Sequence, residues 1–184
     1  MIRTILVVLL LVVGVFAVVA FFVLVKLYRI PSSAMEPTLR CAKPALGCTG
    51  AHSDRIAAIR IEWPFDHVHR GEVVAFETPP AAREKCGVGG TFVKRIVGLP
   101  GETFEERRGV VYIDGERLSE PYVDRDRRDE ASYPPRTIPP DRYFLLGDNR
   151  AQSCDSRVWG SVPKSNLTAH VFAIYWPPSR LGFR

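Results

Sequence analysis

The stretch GVVYIDGERL, residues 109–118, decides the fold class of this chain. Two short runs with β-branched or aromatic residues flank Asp114-Gly115, and this dipeptide favours the left-handed conformations of a two-residue hairpin turn. The pattern predicts two antiparallel strands joined by a tight turn.

Outward from this hairpin, apolar runs of strand length recur between turn signals, and after residue 30 none repeats at helical spacing over three turns. Residues 119–141, rich in proline and charge, cannot form a central strand and are expected to be an exposed excursion. The sequence therefore predicts a mostly β domain. The other predicted strands are Gly71–Thr78, Thr91–Leu99, Arg142–Leu146 and His170–Trp176.

Composition excludes several broad classes. The chain has 184 residues, 46% of them hydrophobic and 24% charged, which argues against a disordered or collagen-like chain. The net charge is +5, but the basic residues are spread along the chain without a run of lysines. This distribution favours a mixed surface next to anionic lipid headgroups, and no motif supports a nucleic-acid partner.

The amino-terminal segment is strongly apolar. Ile5–Val25 contains no charged residue, and as a helix it would extend about 30 Å, enough to cross a hydrocarbon core once. A cleaved signal peptide is the alternative, since Ser32-Ser33-Ala34 offers small residues for cleavage, but such peptides have shorter apolar regions. We therefore expect residues 1–29 to be a transmembrane anchor and residues 30–184 to form one domain.

Charges on either side of the apolar segment do not fix its orientation. The four cysteines, an even count with three possible pairings, favour an oxidising compartment outside the membrane. A zinc site would need two close pairs, and only Cys41 and Cys48 are close in sequence.

Three segments contain the side chains that could do chemistry. In the second segment, residues 91–102, Lys94 lies in an apolar strand pattern next to Arg95. Strand alternation lets only one of these two side chains point inward. In the third segment, residues 147–163, four charged residues follow a strand: Asp148, Arg150, Asp155 and Arg157. Such a density of charges is typical of an ion-paired turn. The segments are IPSSAMEPTL at 30–39, TFVKRIVGLPGE at 91–102 and GDNRAQSCDSRVWGSVP at 147–163.

Together with RGEVVAF at 70–76, TIPPDRYFLLGDNR at 137–150 and WPPSRLG at 176–182, these segments resemble bacterial type I signal peptidases. Members of that family are membrane-anchored serine/lysine enzymes that remove signal peptides from exported proteins. The resemblance implies a largely antiparallel β domain with a small inserted β-rich subdomain. It also implies a single-pass protein of the cell membrane with its catalytic domain on the extracytoplasmic side, and signal peptides and the bilayer as partners. No cofactor or metal is implied.

The resemblance also assigns roles to residues. Lys94 matches the general base, which requires desolvation among apolar neighbours to lower its pKa toward neutrality. Ser153 matches the serine that hydrogen-bonds the lysine amine, and Asp155 and Arg157 match a supporting ion pair. The other charged positions of the same segment fall on Asp148 and Arg150, where structural roles are as plausible as catalytic ones.

The nucleophile position departs from the family pattern, because it holds Ala34, which has no nucleophilic oxygen. Ser33 lies one residue earlier, and in an extended chain it points to the opposite face. Ser32 matches the residue whose hydroxyl helps to bind the oxyanion, together with the backbone N–H of residue 34. Either an engineered serine-to-alanine change or a naturally inactive homologue would explain Ala34, and in both cases we expect binding with little turnover.

The family cleaves after small residues in an Ala-x-Ala pattern, with the substrate extended beside shallow apolar pockets. An ordinary core role is the alternative for the matching side chains. These are Tyr28, Ile30, Pro31, Met35, Leu39, Phe92 and Val93. Two competing functions are a membrane-anchored protein that binds exported peptides without cutting them, and a serine/lysine peptidase with another role.

A disulfide between Cys86 and Cys154 would tie the loop before Lys94 to the catalytic segment, leaving Cys41 and Cys48 as the second pair. A reactive Cys154 thiol is the alternative. His67 and His69 form an HxH pair that suggests a metal, but the sequence shows no third ligand, so no metal site is predicted.

Overall fold

A computed structural model describes residues 2–61 and 67–183 of the chain. Within these ranges, twelve strands form two antiparallel sheets accompanied by three α-helices, which confirms the predicted mostly β class. The helices are α1 (Ile2–Leu24), α2 (Pro80–Cys86) and α3 (Ser156–Trp159). The strands are β1 (Val25–Arg29), β2 (Arg55–Arg60), β3 (Val73–Glu77), β4 (Thr91–Gly98), β5 (Thr103–Arg107), β6 (Val110–Ile113), β7 (Glu116–Arg117), β8 (Tyr133–Thr137), β9 (Arg142–Leu146), β10 (Val162–Pro163), β11 (Leu167–Trp176) and β12 (Gly182–Phe183).

The large sheet has the order β1-β2-β11-β3-β4-β9-β10, with β12 paired to β11. The central strand β3 is a continuous apolar run because it is buried on both faces. Val73 and Ala75 pack into one hydrophobic cluster, whereas Val74 and Phe76 pack into another on the opposite face. Because both faces of the sheet are covered, side chains of either parity along a central strand are buried.

The small sheet has the order β7-β6-β5-β8 and contains the predicted hairpin between β6 and β7. Its turn residues Asp114 and Gly115 both have positive φ, at 53° and 83°, which confirms the hairpin prediction. Residues 119–141 contain β8 at one edge of this sheet, a position that tolerates the prolines of the segment. The same segment also contributes the buried side chains of Val123 and Ile138.

The small sheet packs on the strand that leads to the candidate site. Phe104 of β5 stacks on Phe144 of β9 with ring centroids 4.1 Å apart, and Leu146 of β9 belongs to the same hydrophobic cluster. This shared core fixes the small sheet against the chain just before residue 147.

The amino-terminal helix α1 presents large apolar side chains to its surroundings, and Phe16, for example, is 73% exposed. Over the residues described by the structure, none of the helices is both long enough and apolar enough for a membrane crossing. The predicted transmembrane anchor over residues 1–29 stays a prediction. At its carboxyl end, α1 continues directly into β1 at Val25, so the apolar helix leads straight into the large sheet.

Candidate active site

Lys94 is a buried amine on β4. The residue is 2% exposed, and its Nζ donates a hydrogen bond of 2.8 Å to Ser153 Oγ. Burial lowers the pKa of Lys94 from 10.5 to about 8, because desolvation penalises the charged ammonium. The nearby carboxylates of Asp155 and Asp148 oppose this shift, and the guanidinium of Arg157 adds to it. The side chain is therefore suited to accept a proton near neutral pH.

Arg95, the next residue of β4, is also buried, at 9% exposure. Its Nε and Nη2 bind the two carboxylate oxygens of Asp148 at 2.8 and 2.6 Å, and its guanidinium lies 3.9 Å from the Tyr122 ring centre. The expectation that only one of Lys94 and Arg95 points inward is wrong. The two side chains leave the strand on opposite faces, but both faces of the large sheet are covered.

The segment after β9 brings the other predicted polar residues to Lys94. Asp155 caps α3, since its Oδ1 accepts the Arg157 backbone N–H at 3.2 Å, and its Oδ2 accepts the Gly147 N–H at 3.2 Å. Arg157 Nε also binds Asp155 Oδ1 at 2.9 Å. Burial raises the pKa of Asp155, but the charge and hydrogen bonds of Arg157, together with Lys94 and the Ser153 hydrogen bond, outweigh burial and hold the pKa below its usual range. A carboxylate thus remains ionised beside the lysine.

The remaining charged residues of this segment are held by partners elsewhere in the fold. Asp148 Oδ2 accepts a 2.5 Å hydrogen bond from Thr38 Oγ1 in addition to its pair with Arg95. Arg150 binds the carboxylate of Glu120, which precedes β8, and its Nε donates to Gly147 O at 3.1 Å. The structure gives Asp148 and Arg150 these anchoring contacts at the two ends of the turn.

The nucleophile position lies in a short 3-10 turn, Ser33–Met35, which rests against the same segment. The Ala34 carbonyl accepts the Asn149 N–H at 3.1 Å, and Asn149 Nδ2 donates to Ser33 O at 3.0 Å. A Cβ at Gly147 would collide with both Ala34 O and Ser153 Oγ, so this glycine lets the two loops meet. Ala34 is therefore placed beside the Lys94–Ser153 pair.

Ser33 does not replace the missing nucleophile in this arrangement. It is buried, and its hydroxyl donates to Gln152 Oε1 at 3.1 Å, which also accepts from Asn149 Nδ2 at 3.2 Å. Ser32 and Ala34 line a cavity with Lys94, whereas Ser33 is not among the lining residues. The predicted extended conformation is wrong here, because Ser33–Met35 forms a 3-10 turn, but Ser33 still does not line the cavity.

The cavity shared by these residues has a volume of about 520 Å³. Six of the seven predicted substrate-binding residues line it, whereas Leu39 is fully buried in the hydrophobic core. Sequence reasoning missed Gln152, although it lies within the segment 147–163, because no charge or nucleophile marks it, and it missed Val88 and Gly89, because no motif marks their loop. The lining residues are Tyr28, Arg29, Ile30, Pro31, Ser32, Ala34, Met35, Val88, Gly89, Thr91, Phe92, Val93, Lys94, Gln152 and Cys154.

Two disulfides join the pairs Cys41–Cys48 and Cys86–Cys154, which leaves no free cysteine among residues 2–61 and 67–183. The second links the end of α2 to the residue after Ser153. The first closes a loop around the buried carboxylate of Glu36, whose Oε1 accepts the Thr49 N–H at 2.9 Å. The Cys86–Cys154 disulfide therefore joins two loops that line the cavity, whereas Cys41–Cys48 closes a separate loop.

The histidine pair lies at a different cavity, of about 780 Å³, on another part of the large sheet. There His69 Nδ1 and His170 Nδ1 each lie 3.0 Å from one oxygen of the Glu72 carboxylate. His67 lines the same cavity. Neither member of the HxH pair lines the cavity around Lys94.

Comparison with known proteins identifies the family. The sequence model described as signal peptidase, peptidase S26, matches residues 1–176. The chain belongs to this signal peptidase family. It is 38% identical over 153 residues to a probable signal peptidase I-2 of Synechocystis, and the match covers 83% of this chain and 64% of that protein. It is 34% identical over 154 residues to the signal peptidase I of Leptolyngbya laminosa, covering 83% of this chain and 70% of the relative.

A more distant signal peptidase I, from Mycobacterium tuberculosis, is 30% identical over 220 aligned residues that cover 93% of this chain and 73% of the relative. A crystal structure of a signal peptidase I from Enterococcus faecalis V583 aligns at 32% identity with a TM-score of 0.46, covering 56% of this chain and 96% of that chain. Membership of the family agrees with the resemblance seen in the sequence.

Proposed function

We propose that this chain is a signal peptidase I that binds the carboxyl-terminal part of signal peptides beside Lys94, and that Ala34 withholds the cleavage step. The 2.8 Å hydrogen bond from buried Lys94 Nζ to Ser153 Oγ, at a cavity that Ala34 also lines, is the observation that carries this proposal. The relatives of this chain that are named signal peptidase I support the same reaction class.

The chemistry requires only one further oxygen. With a hydroxyl at position 34, neutral Lys94 would accept the hydroxyl proton while the oxygen attacks the carbonyl carbon of the scissile peptide bond. The Ser32 hydroxyl and the backbone N–H of residue 34 would stabilise the oxyanion. The lysine then returns the proton to the departing amine, and water hydrolyses the ester that remains. Ser153 orients the amine throughout.

The lining of the cavity suits a peptide with small side chains. Ile30, Met35, Phe92 and Val93 give it apolar walls, with Met35 contributed by the 3-10 turn and Phe92 and Val93 by β4. Such shallow apolar walls complement the alanine side chains of an Ala-x-Ala sequence. Cleavage sites with bulky residues should be excluded by size.

We further propose that the amino-terminal segment anchors the chain to a membrane in a single pass, with the β domain on the extracytoplasmic side. The exposed apolar side chains of α1 support the anchor, and the two disulfides support an oxidising compartment. Because α1 runs directly into β1, which carries Tyr28 to the cavity, the site would lie close to the bilayer surface. Protease protection of intact and opened membrane vesicles tests this topology.

The central experiment restores the hydroxyl. Ala34→Ser and the parent chain are compared on one labelled preprotein with an Ala-x-Ala site, in detergent micelles. We expect cleavage by the variant only, with a rate several orders of magnitude above the parent. The matched control carries Lys94→Arg in the Ala34→Ser background, which keeps a positive charge but cannot supply a neutral base.

Ala34 itself favours a second candidate, a membrane protein that binds exported peptides without cutting them. Peptide binding by the parent chain, measured with a fluorescent signal peptide, separates the outcomes. Binding without cleavage in a folded Ala34→Ser variant would support the binding protein. Loss of both binding and cleavage would contradict the proposed function altogether.

A further inference from the structure

The small sheet and the connection between its strands β7 and β8 place charged side chains beside residues 147–163. Glu120, which follows β7, binds Arg150, and Asp129, which precedes β8, accepts a 2.7 Å hydrogen bond from Arg157 Nη1. Glu106 of β5 lies beside the same guanidinium, with Oε1 at 3.5 Å from Arg157 Nη1. The inserted sheet is thus in electrostatic contact with the segment that supports Lys94.

Glu106 is unusual among these carboxylates. It is 1% exposed, and neither of its oxygens accepts a hydrogen bond from any described residue. Desolvation of this buried side chain raises its pKa to about 7, and the opposing effect of Arg157 does not cancel the rise. Glu106 therefore changes charge near neutral pH. The charged and titratable groups facing it are Arg157, Asp129, Arg150, Asp155 and, on the neighbouring strand β8, Tyr133.

A continuous set of contacts leads from Glu106 to the lysine. Arg157, beside Glu106, binds both oxygens of Asp155, through Nε at 2.9 Å and Nη2 at 3.0 Å. Asp155 is adjacent to Ser153, which accepts the Lys94 hydrogen bond. Arg157 and Asp155 also act on Lys94 through their charges, in opposite directions. A change of charge at Glu106 therefore alters the surroundings of Arg157, which acts on Lys94 directly and binds Asp155.

We propose that Glu106 is a positioning residue whose charge, acting through Arg157 and Asp155, sets the affinity of Lys94 for a proton. The small sheet would then adjust the pKa of the general base through Glu106. The kinetic part of this inference rests on the proposed peptidase function. The effect on the Lys94 amine does not, because it exists whether or not a nucleophile is present.

The direction of the effect follows from the charges. An ionised Glu106 partly compensates the positive charge of Arg157, and that positive charge lowers the pKa of Lys94. Removing the carboxylate leaves Arg157 less compensated, so the pKa of Lys94 should fall. A unit charge acting through one intervening ion pair predicts a shift of about half a pH unit.

The test uses the full chain in micelles with Ala34 unchanged. The ε-carbon of Lys94, labelled with ¹³C, is titrated by NMR in the parent and in Glu106→Gln. Glu105→Gln is the matched control, since Glu105 is the preceding residue of β5 and binds Arg107, away from the catalytic segment. Glu106→Asp retains the charge and should return the titration toward that of the parent.

A lower Lys94 pKa in Glu106→Gln alone supports the proposal. An unchanged titration in the folded variant, or an equal shift in Glu105→Gln, would overturn it. If Glu106→Gln does not fold, Glu106→Met supplies a neutral side chain of similar length for the same titration.

The same variants are then placed in the Ala34→Ser background, where the pH dependence of kcat/KM should shift downward by the same amount. Absence of cleavage in every Ala34→Ser chain would contradict the proposed function, while the NMR titration would still decide the role of Glu106. The two failures are therefore distinguishable.

Discussion

The pH dependence of the Ala34→Ser variant gives the sharpest test of the site. Only the neutral amine of Lys94 can act as a base, and its pKa is about 8 instead of 10.5. At pH 8 about half of the amines are neutral, against about 1 in 300 for an ordinary lysine, a gain of about 150-fold in the reactive form. The corresponding difference in free energy is about 3 kcal/mol, supplied by burial of the side chain.

The assay measures kcat/KM between pH 6 and pH 10 with a fluorogenic peptide that contains an Ala-x-Ala site. We expect the rate to rise about tenfold per pH unit at low pH and to level off above pH 8. Lys94→Arg in the same background should be inactive at every pH, because guanidinium does not lose its proton.

Two results would refute the reasoning. A rise centred near the pKa of an ordinary lysine would mean that burial does not lower the pKa of Lys94. A rise that disappears on changing His52, His67, His69 or His170, with the fold intact, would assign the base to histidine. Each result is read from the same set of rate profiles.

The remaining predictions concern stability and steric fit. Lys94→Met should stabilise the folded chain at pH 7 by up to about 3 kcal/mol, because burial of the charged amine costs stability that returns only as pH rises from about 8 through 10.5. The difference in Tm between the two chains should therefore shrink at pH 10.5. A difference in Tm that stays constant with pH would contradict this prediction. Gly147→Ala should abolish cleavage in the Ala34→Ser background, because the added Cβ collides with the carbonyl oxygen of residue 34 and with Ser153 Oγ. Gly14→Ala in α1, where no atom lies within 4 Å of the added Cβ, is the control for the general effect of replacing a glycine. Equal activity of both variants would exclude close approach of the two loops.

Local sequence patterns were sufficient for the elements that depend on neighbours in the chain. The Asp114-Gly115 turn was predictable because a two-residue hairpin needs positive φ at both positions. The strand Arg142–Leu146 was predicted with the bounds that the structure gives it, since its apolar run is limited by turn residues. The family resemblance added the roles of Lys94 and Ser153, which no periodicity could supply.

The alternation argument failed at Arg95 for a physical reason. Alternation assigns side chains to two faces of a strand, but it does not say whether a face is solvated. The charged segment and Tyr122 cover the Arg95 face, and this covering comes from residues distant in the chain. Leu39 is the same kind of case, since its motif position suggested the cavity but packing places it in the core.

What the sequence by itself determined is therefore a mostly β domain of the signal peptidase family, together with the expectation of a lysine base, a supporting serine and an alanine at the nucleophile position. Only the tertiary structure decided how strongly that lysine is desolvated and which groups act on it. Both depend on residues distant in the chain, since Asp148, Asp155 and Arg157 act on Lys94 from the segment after β9. The free energies of such contacts are set by distance and burial, and neither quantity is encoded in any local pattern of residues.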